Sequence, residues 1–409
     1  MMITEPEMSS SPQYRGLCGV LASLDLTQPE SIVVIKPEIK ALLDSFSELD
    51  WDLFVHMAKA EGVAPLTHFA LSRSTYKAPE AVSQKLSLEY YKSAAFNQMI
   101  LEEMGKVVQT LTEANVSVGV LKGAALAITI YPDPALRPMT DLDLLVKIED
   151  FEKAKGLILS MGYHETIPEI TKGFNRFAGY HSQLNKSDNP SIKIELHWSL
   201  VAGENDVRSP SAGWFWQNIY WGGCPVHYGI SIAKLQMLSK EALLLYLAGH
   251  LILQHGKAAS RIIWFYDIAL IIKSWKSELN WYILFEEADK LGYLPVLRFV
   301  IEKINTEFEV HFPINEIPKG KFISNYRTEF LVNLLWKGKS GRLINALSRL
   351  IATRGWKKLY LLIGYFFPDV NYMQWRYRFQ NRWQVIYYYP LRWIQMFIKG
   401  MRTIVERWV

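Results

Sequence analysis

Cysteine is nearly absent, with Cys18 and Cys224 the only two in 409 residues. Two such distant thiols supply neither a disulfide framework nor a spaced ligand set, which points to a reducing compartment and favours the cytoplasm. A signal peptide is missing too. The opening "MMITEPEMSSSPQYRG" is acidic and polar, with no apolar stretch behind a basic start, so export is not expected. The longest apolar runs, "LLLYLAGHLIL" and "LYLLIGYFF", fall short of the roughly 20 residues that a spanning helix needs. No transmembrane segment is therefore expected. Neither a Walker G-x-x-x-x-G-K-[ST] nor a Rossmann G-x-G-x-x-G sequence occurs, and "HLILQH" lacks the glutamate of H-E-x-x-H, so zinc and dinucleotide chemistry rank low.

What is present fits a folded protein of two or three units: half of the residues are hydrophobic and 21% are charged, with 14 Trp and 21 Tyr. The net charge is only +5, but Lys337 to Val409 carries 14 Lys or Arg against Asp369 and Glu406. Such a basic tail suits phosphate, nucleic acid or an anionic membrane, or simply a solvated helical surface.

Periodicity divides the chain into five parts. Residues 1–16 read as a disordered leader, and residues 17–114 as an N-terminal helical region. Within that region Gly62 stops one helix, Pro65 opens another, and a long helix runs from about Pro79 to Glu113. Residues 115–200 change to short α/β pieces. Strands are expected at "VSVGVL", "DLDLLVKI", "YHSQLNK" and "SIKIELHW", the last two joined through Ser187, Asp188, Asn189 and Pro190. Helices are expected at "GAALAITIY" and "EDFEKAKGLILSMGY". Residues 201–320 read as a helical domain packing on this core, and residues 321–409 as a basic, aromatic-rich helical region. The fold class is α+β, a small mixed sheet between helical domains.

Inside the strand "MTDLDLLV" stand two aspartates two positions apart. Side chains at i and i+2 share a face of a strand, so Asp141 and Asp143 project together while Leu142 and Leu144 pack behind them. An edge strand with solvated carboxylates fits this pattern. So does a divalent cation, which relieves their repulsion and suits substrate phosphates. Upstream, Lys122 and Gly123 open a helix after a strand, where free backbone N–H groups favour a phosphate, and Arg137 could clamp phosphate oxygens. Downstream, Glu195 and His197 share a strand face, so Glu195 could complete a metal pair for in-line phosphoryl displacement. A surface lysine, a loop arginine and a structural histidine are the plainer readings of Lys122, Arg137 and His197. His250 and His255, five apart, would diverge by about 140° on an α-helix and make poor co-ligands.

The run "LKGAALAITIYPDPALRPMTDLDLLV" with the later "IELHW" resembles an uncharacterised bacterial nucleotidyltransferase family of the DNA polymerase beta superfamily, over roughly Asp50 to Lys273. The resemblance implies transfer of a nucleoside monophosphate from an NTP to an acceptor hydroxyl, using Mg²⁺, two ions during turnover, or Mn²⁺. It also implies a role in polysaccharide, glycolipid or modified-peptide biosynthesis, with a sugar, glycolipid or peptide acceptor. Carried over by position, Asp141, Asp143 and Glu195 match the metal-binding and catalytic carboxylates, and Gly123 the phosphate-binding turn. Lys122, Tyr131, Arg137 and His197 match the family's pattern around them. His250, His255, Arg261 and Asp267 are family-typical helical positions, read here as holding the helical domain against the sheet. Three features depart from the superfamily's usual pattern: Ala124 follows Gly123, 17 residues separate Gly123 from Asp141, and glutamate stands at 195.

Two other readings remain. The first is a catalytically inactive nucleotide-binding or scaffold protein on the same fold, for which Ala124 speaks. The second is a membrane-associated assembly factor of an envelope glycan pathway, making peripheral contact with the inner face of the membrane through its arginine- and aromatic-rich tail. Nucleic acid ranks below both as a partner.

Overall fold

The computed structural model describes residues 11–171, 174, 179–200, 212–223, 234–257, 259–310, 326–337, 350, 353 and 355–408. Cys224 lies outside them; Cys18 is a buried free thiol.

The helices used below are α1 (Pro12–Ala22), α2 (Glu48–Ala60), α3 (Ala64–Ser72), α4 (Glu80–Glu113), α5 (Lys122–Thr129), α6 (Phe151–Ser160), α7 (Lys240–Gly249), α8 (Ile262–Trp275), α9 (Leu294–Phe308), α10 (Lys357–Phe366), α11 (Val370–Tyr377) and α12 (Val385–Trp408). Seven strands form one mixed sheet: β1 (Val118–Val120), β2 (Leu142–Val146), β3 (Tyr163–Glu165), β4 (His181–Lys186), β5 (Lys193–His197), β6 (Ile219–Gly223) and β7 (Lys234–Leu238), in the order β3-β4-β5-β2-β1-β7-β6. β2 runs parallel to β5 and β1 parallel to β7; the other neighbouring pairs are antiparallel.

Punctuation in the sequence sets several of these limits. Gly62, at φ +72, ends the α2 turn in a left-handed conformation that costs glycine little, and Pro65 sits in the first turn of α3, where its missing N–H is harmless. Gly162, at φ +89, likewise separates α6 from β3.

Two expectations need correction. Helix α1 begins at Pro12, so residues 12–16 are not part of a disordered leader; Ser11 caps the helix by accepting from Tyr14 N, and Gln13 is buried against Asp50. The stretch after residue 200, read as a Gly- and Trp-rich connector leading into a helical domain, also supplies β6 and β7, which extend the sheet through the parallel β1·β7 pair. β7, "KLQML", alternates polar and apolar over too few residues to stand out from the helix that follows it at once.

The two flanking helical regions form one body. Leu17, Phe54 and Leu66 of α1, α2 and α3 share a core with Tyr246, Tyr266 and Phe308 of α7, α8 and α9. A second core fills the other side of the sheet, where Met104, Val108 and Leu111 of α4 meet Leu142, Leu144, Ile194 and Leu196. The 34-residue α4, about 50 Å long, belongs to both, since its Val82 and Leu86 lie in the first core. Strand alternation then decides where the acids go. Leu142, Leu144 and Val146 face the second core, so Asp143 and Leu145 look toward the helical body. Among the described residues no helix is long and apolar enough to cross a membrane.

Candidate active site

Asp143 and Glu195 are paired in register across the parallel strands β2 and β5, which puts both side chains on the same face. Asp143 is buried and Glu195 partly so. Asp141 stands on the bend just before β2 rather than within it. The three acids line a cavity of about 210 Å³ together with Lys122, Gly123, Arg137, Tyr180, His250, Gln254, His255, Arg261 and Trp264.

Basic side chains knit Asp143 and Glu195 together. Lys122 Nζ lies 2.6 Å from Asp143 Oδ1 and 3.7 Å from Glu195 Oε2. His197 Nε2 is 2.9 Å from Asp143 Oδ1 and 3.4 Å from Glu195 Oε2, and since a carboxylate only accepts, this nitrogen carries the proton. His181, opposite His197 on β4, places Nε2 3.7 Å from Glu195 Oε1. His181, Glu195 and His197 each offer one ligand atom, and these atoms lie within 4.8 Å of one another.

The protonation states follow from this crowding. Burial, reinforced by the charges of Asp143 and Glu195, pushes Asp141 up to about 6. Burial works against ionisation of Glu195 as well, but the hydrogen bond from His197 and the nearby His181 and Lys122 hold it well below the usual carboxylate range. Burial opposes the charge on Lys122, yet Asp143 and Glu195 keep it firmly cationic. His197 is raised: burial and Lys122 pull it down, and its bonds to Asp143 and Glu195 outweigh them. His181, buried beside His197, falls to about 3.

The backbone at the start of α5 is unusual. Lys122 adopts φ +44, a left-handed conformation uncommon for a side-chain-bearing residue, immediately before the first turn. Such a reversal ahead of free helical N–H groups forms an anion-accepting concavity. Gly123 has a steric role as well, because a Cβ there would stand 3.0 Å from Arg137 Nη1.

Arg137 is anchored from below. Its Nη2 donates to Asp267 Oδ2 at 2.7 Å, its Nε is 3.2 Å from both Asp267 oxygens, and Nη1 donates to Pro138 O at 2.9 Å. Tyr131 donates to Asp267 Oδ1 at 2.7 Å. Asp267 on α8 thus ties the loop before β2 to the helical body, as expected of a buried polar network.

His250 and His255 depart from expectation. The end of the α7 pattern winds as a π-helical turn, His250–His255, with Gly256 N donating to Leu251 O at 3.1 Å. Hydrogen bonds from i to i+5 bring residues five apart nearly into line, so the Nε2 atoms sit 3.2 Å apart, not about 140° around the axis. Burial and the charge of Lys122 depress both, His255 to about 4 and His250 well below its ordinary value. Arg261 stacks on Trp264, 4.7 Å from the ring centre, beside them.

Several contributors were not singled out from the sequence. Asn97 is buried on α4; its Nδ2 donates to Pro134 O and Arg137 O at 2.7 and 2.9 Å, and its Oδ1 accepts from Met139 N at 3.1 Å, fixing the loop that leads into the acids. Gln254 donates to Tyr180 on the cavity wall. His181 was legible in principle, because counting outward from the Ser187–Pro190 turn sets it opposite His197.

Residues 47–307, more than half of the chain, match the family described as uncharacterised nucleotidyltransferase. The chain belongs to that family. A solution structure of the antibiotic-resistance factor ANT(2'')-Ia aligns at 15% identity over 53% of this chain and 96% of its own, with a TM-score of 0.29. The crystal structure of an antigenic nucleotidyltransferase-like protein from Paracoccidioides brasiliensis aligns at 15% identity over 54% and 95%, with a TM-score of 0.33. No curated protein matches. Within the family's matched span lie all three acids, Lys122, Gly123 and the Arg137–Asp267 pair.

Proposed function

We propose that this member of the family transfers a nucleoside monophosphate from an NTP to an acceptor hydroxyl. The observation that carries the reading is the in-register pair Asp143 and Glu195, facing a lysine at a helix start. In this reading the backbone N–H groups after Lys122 receive phosphate oxygens, and the Lys122 ammonium turns from the acids toward the triphosphate. Arg137, held in orientation by Asp267, adds positive charge beside it. Glu195, lining the cavity, takes the acceptor's proton as the oxygen attacks the α-phosphorus and pyrophosphate leaves.

Lined by three carboxylates, the cavity suits a divalent cation, and His181 and Glu195 offer ligand atoms within 4.8 Å of one another. Asp141, Asp143 and Glu195 offer hard oxygens, and their mutual repulsion, which adds to burial in raising Asp141, is what such an ion would relieve. Mg²⁺ suits the carboxylates, and Mn²⁺ would also accept the neutral His181. When bound, the ion would neutralise charge on the phosphates and on the attacking and leaving oxygens. The acceptor class we favour is a sugar, glycolipid or peptide hydroxyl, as in polysaccharide biosynthesis.

Purified protein incubated with labelled NTPs, Mg²⁺ and a panel of such acceptors should release pyrophosphate, and Asp143→Asn should abolish the release. A second reading, nucleotide binding without turnover, draws on Lys122, whose ammonium already bridges the acids, and on Ala124 in the turn. It predicts saturable NTP binding with no pyrophosphate from any acceptor.

A further inference from the structure

The C-terminal helices leave much apolar surface uncovered. On α12 the polar and aromatic side chains turn inward: Arg392 is 7% exposed and its Nε donates to Tyr365 O at 3.1 Å, Tyr389 donates to Pro368 O at 2.6 Å, and Trp393 donates to Phe366 O at 2.8 Å. The apolar side chains Ile386, Leu391, Ile394, Phe397 and Ile398 face outward, between 41% and 69% exposed. Their spacing keeps them on one side of a helix of 3.6 residues per turn. On α10, which buries Leu361 and Gly364, Leu359, Ile363 and Phe366 form a second exposed apolar stripe that begins at Trp356. Beneath them, among the described residues, the buried apolar cluster is small: Met373, Phe379 and Val385, with Leu361 and Tyr372 also buried.

What would cover such a surface is indicated by charge. Residues 355–398 carry six Lys or Arg against Asp369 alone, an excess equal to the +5 of the whole chain. Lys358, Arg376, Arg378 and Arg382 are exposed. A second copy would bring like charge against like charge across a self-complementary contact, whereas anionic headgroups complement it. Exposed Trp356, Trp383 and Tyr387 add amphipathic rings of the kind that settle at headgroup level.

We propose that the α10–α12 unit is a peripheral docking surface for an anionic lipid bilayer. The two helices lie in the membrane plane, with their outward stripes at the boundary between headgroups and acyl chains. This inference is independent of the catalytic reading.

The full chain, floated with phosphatidylcholine vesicles with and without phosphatidylglycerol, tests it. The wild type should float with the anionic vesicles at low salt and less at high salt. The double variant Ile394→Glu, Phe397→Glu changes only exposed positions and should bind at least roughly tenfold more weakly, because each apolar side chain withdrawn from water is worth about that factor. Arg376→Glu with Arg378→Glu should reduce the anionic preference while circular dichroism stays unchanged. Failure of the wild type to float at low salt, or equal flotation of the double variant, would overturn the proposal. So would a dimer in analytical ultracentrifugation that the same glutamates disperse, without lipid binding by either protein.

Discussion

Lys122 Nζ stands 2.6 Å from Asp143 Oδ1 and 3.7 Å from Glu195 Oε2, so one ammonium bridges two parallel strands inside the cavity. Its side chain is only 13% exposed, and that of Asp143 only 5%. Removing Lys122 leaves Asp143 buried with His197 alone to offset its charge. Lys122→Met should therefore lower stability by about 3 kcal/mol. Adding Asp143→Asn should restore part of the loss, because the orphaned charge goes with it. Urea unfolding of the two single variants and the double closes the cycle.

The Arg137–Asp267 pair makes a related prediction away from the acids. Asp267→Asn leaves the guanidinium buried without its carboxylate and should cost about 3 to 5 kcal/mol. Tyr131→Phe deletes one hydrogen bond to the same carboxylate and should cost only about 2 kcal/mol. Thermal unfolding of the two variants would show the order; equal losses would mean that the network does not centre on Asp267.

The facing imidazoles give a pH dependence. Both ionise near 6.5 in an unfolded chain, whereas in the fold burial and Lys122 lower His255 to about 4 and hold His250 well below its ordinary value. As pH falls below about 6.5 the unfolded chain binds protons first, so stability complete above that pH is lost progressively toward about 4. His255→Gln should flatten this part of the urea-midpoint profile relative to wild type. Parallel profiles would show that His255 ionises alike in both states.

Much of the central layout was legible in the sequence because local signals agreed. The alternation around Asp143, the helix start at Lys122 and the turn at Ser187 to Pro190 each follow from short-range rules, and together they located β2, α5 and the β4·β5 hairpin. Long-range consequences were not legible. That Arg137 and Tyr131 meet on Asp267, 130 and 136 residues away, depends on how the helical body docks on the sheet. The His250–His255 contact was misjudged because regular α-helical geometry was assumed where the chain winds wider. β6 and β7 were missed because an edge hairpin carrying two glycines has little hydrophobic pattern of its own.

The central claim is that Asp141, Asp143 and Glu195 act as one carboxylate cluster beside a bound triphosphate. Mn²⁺ titration followed by electron paramagnetic resonance, with and without NTP, tests it most directly. NTP should tighten Mn²⁺ binding, and Asp143→Asn and Glu195→Gln should each weaken it by about tenfold or more, with the fold intact by circular dichroism. Unchanged Mn²⁺ affinity in both variants would contradict it.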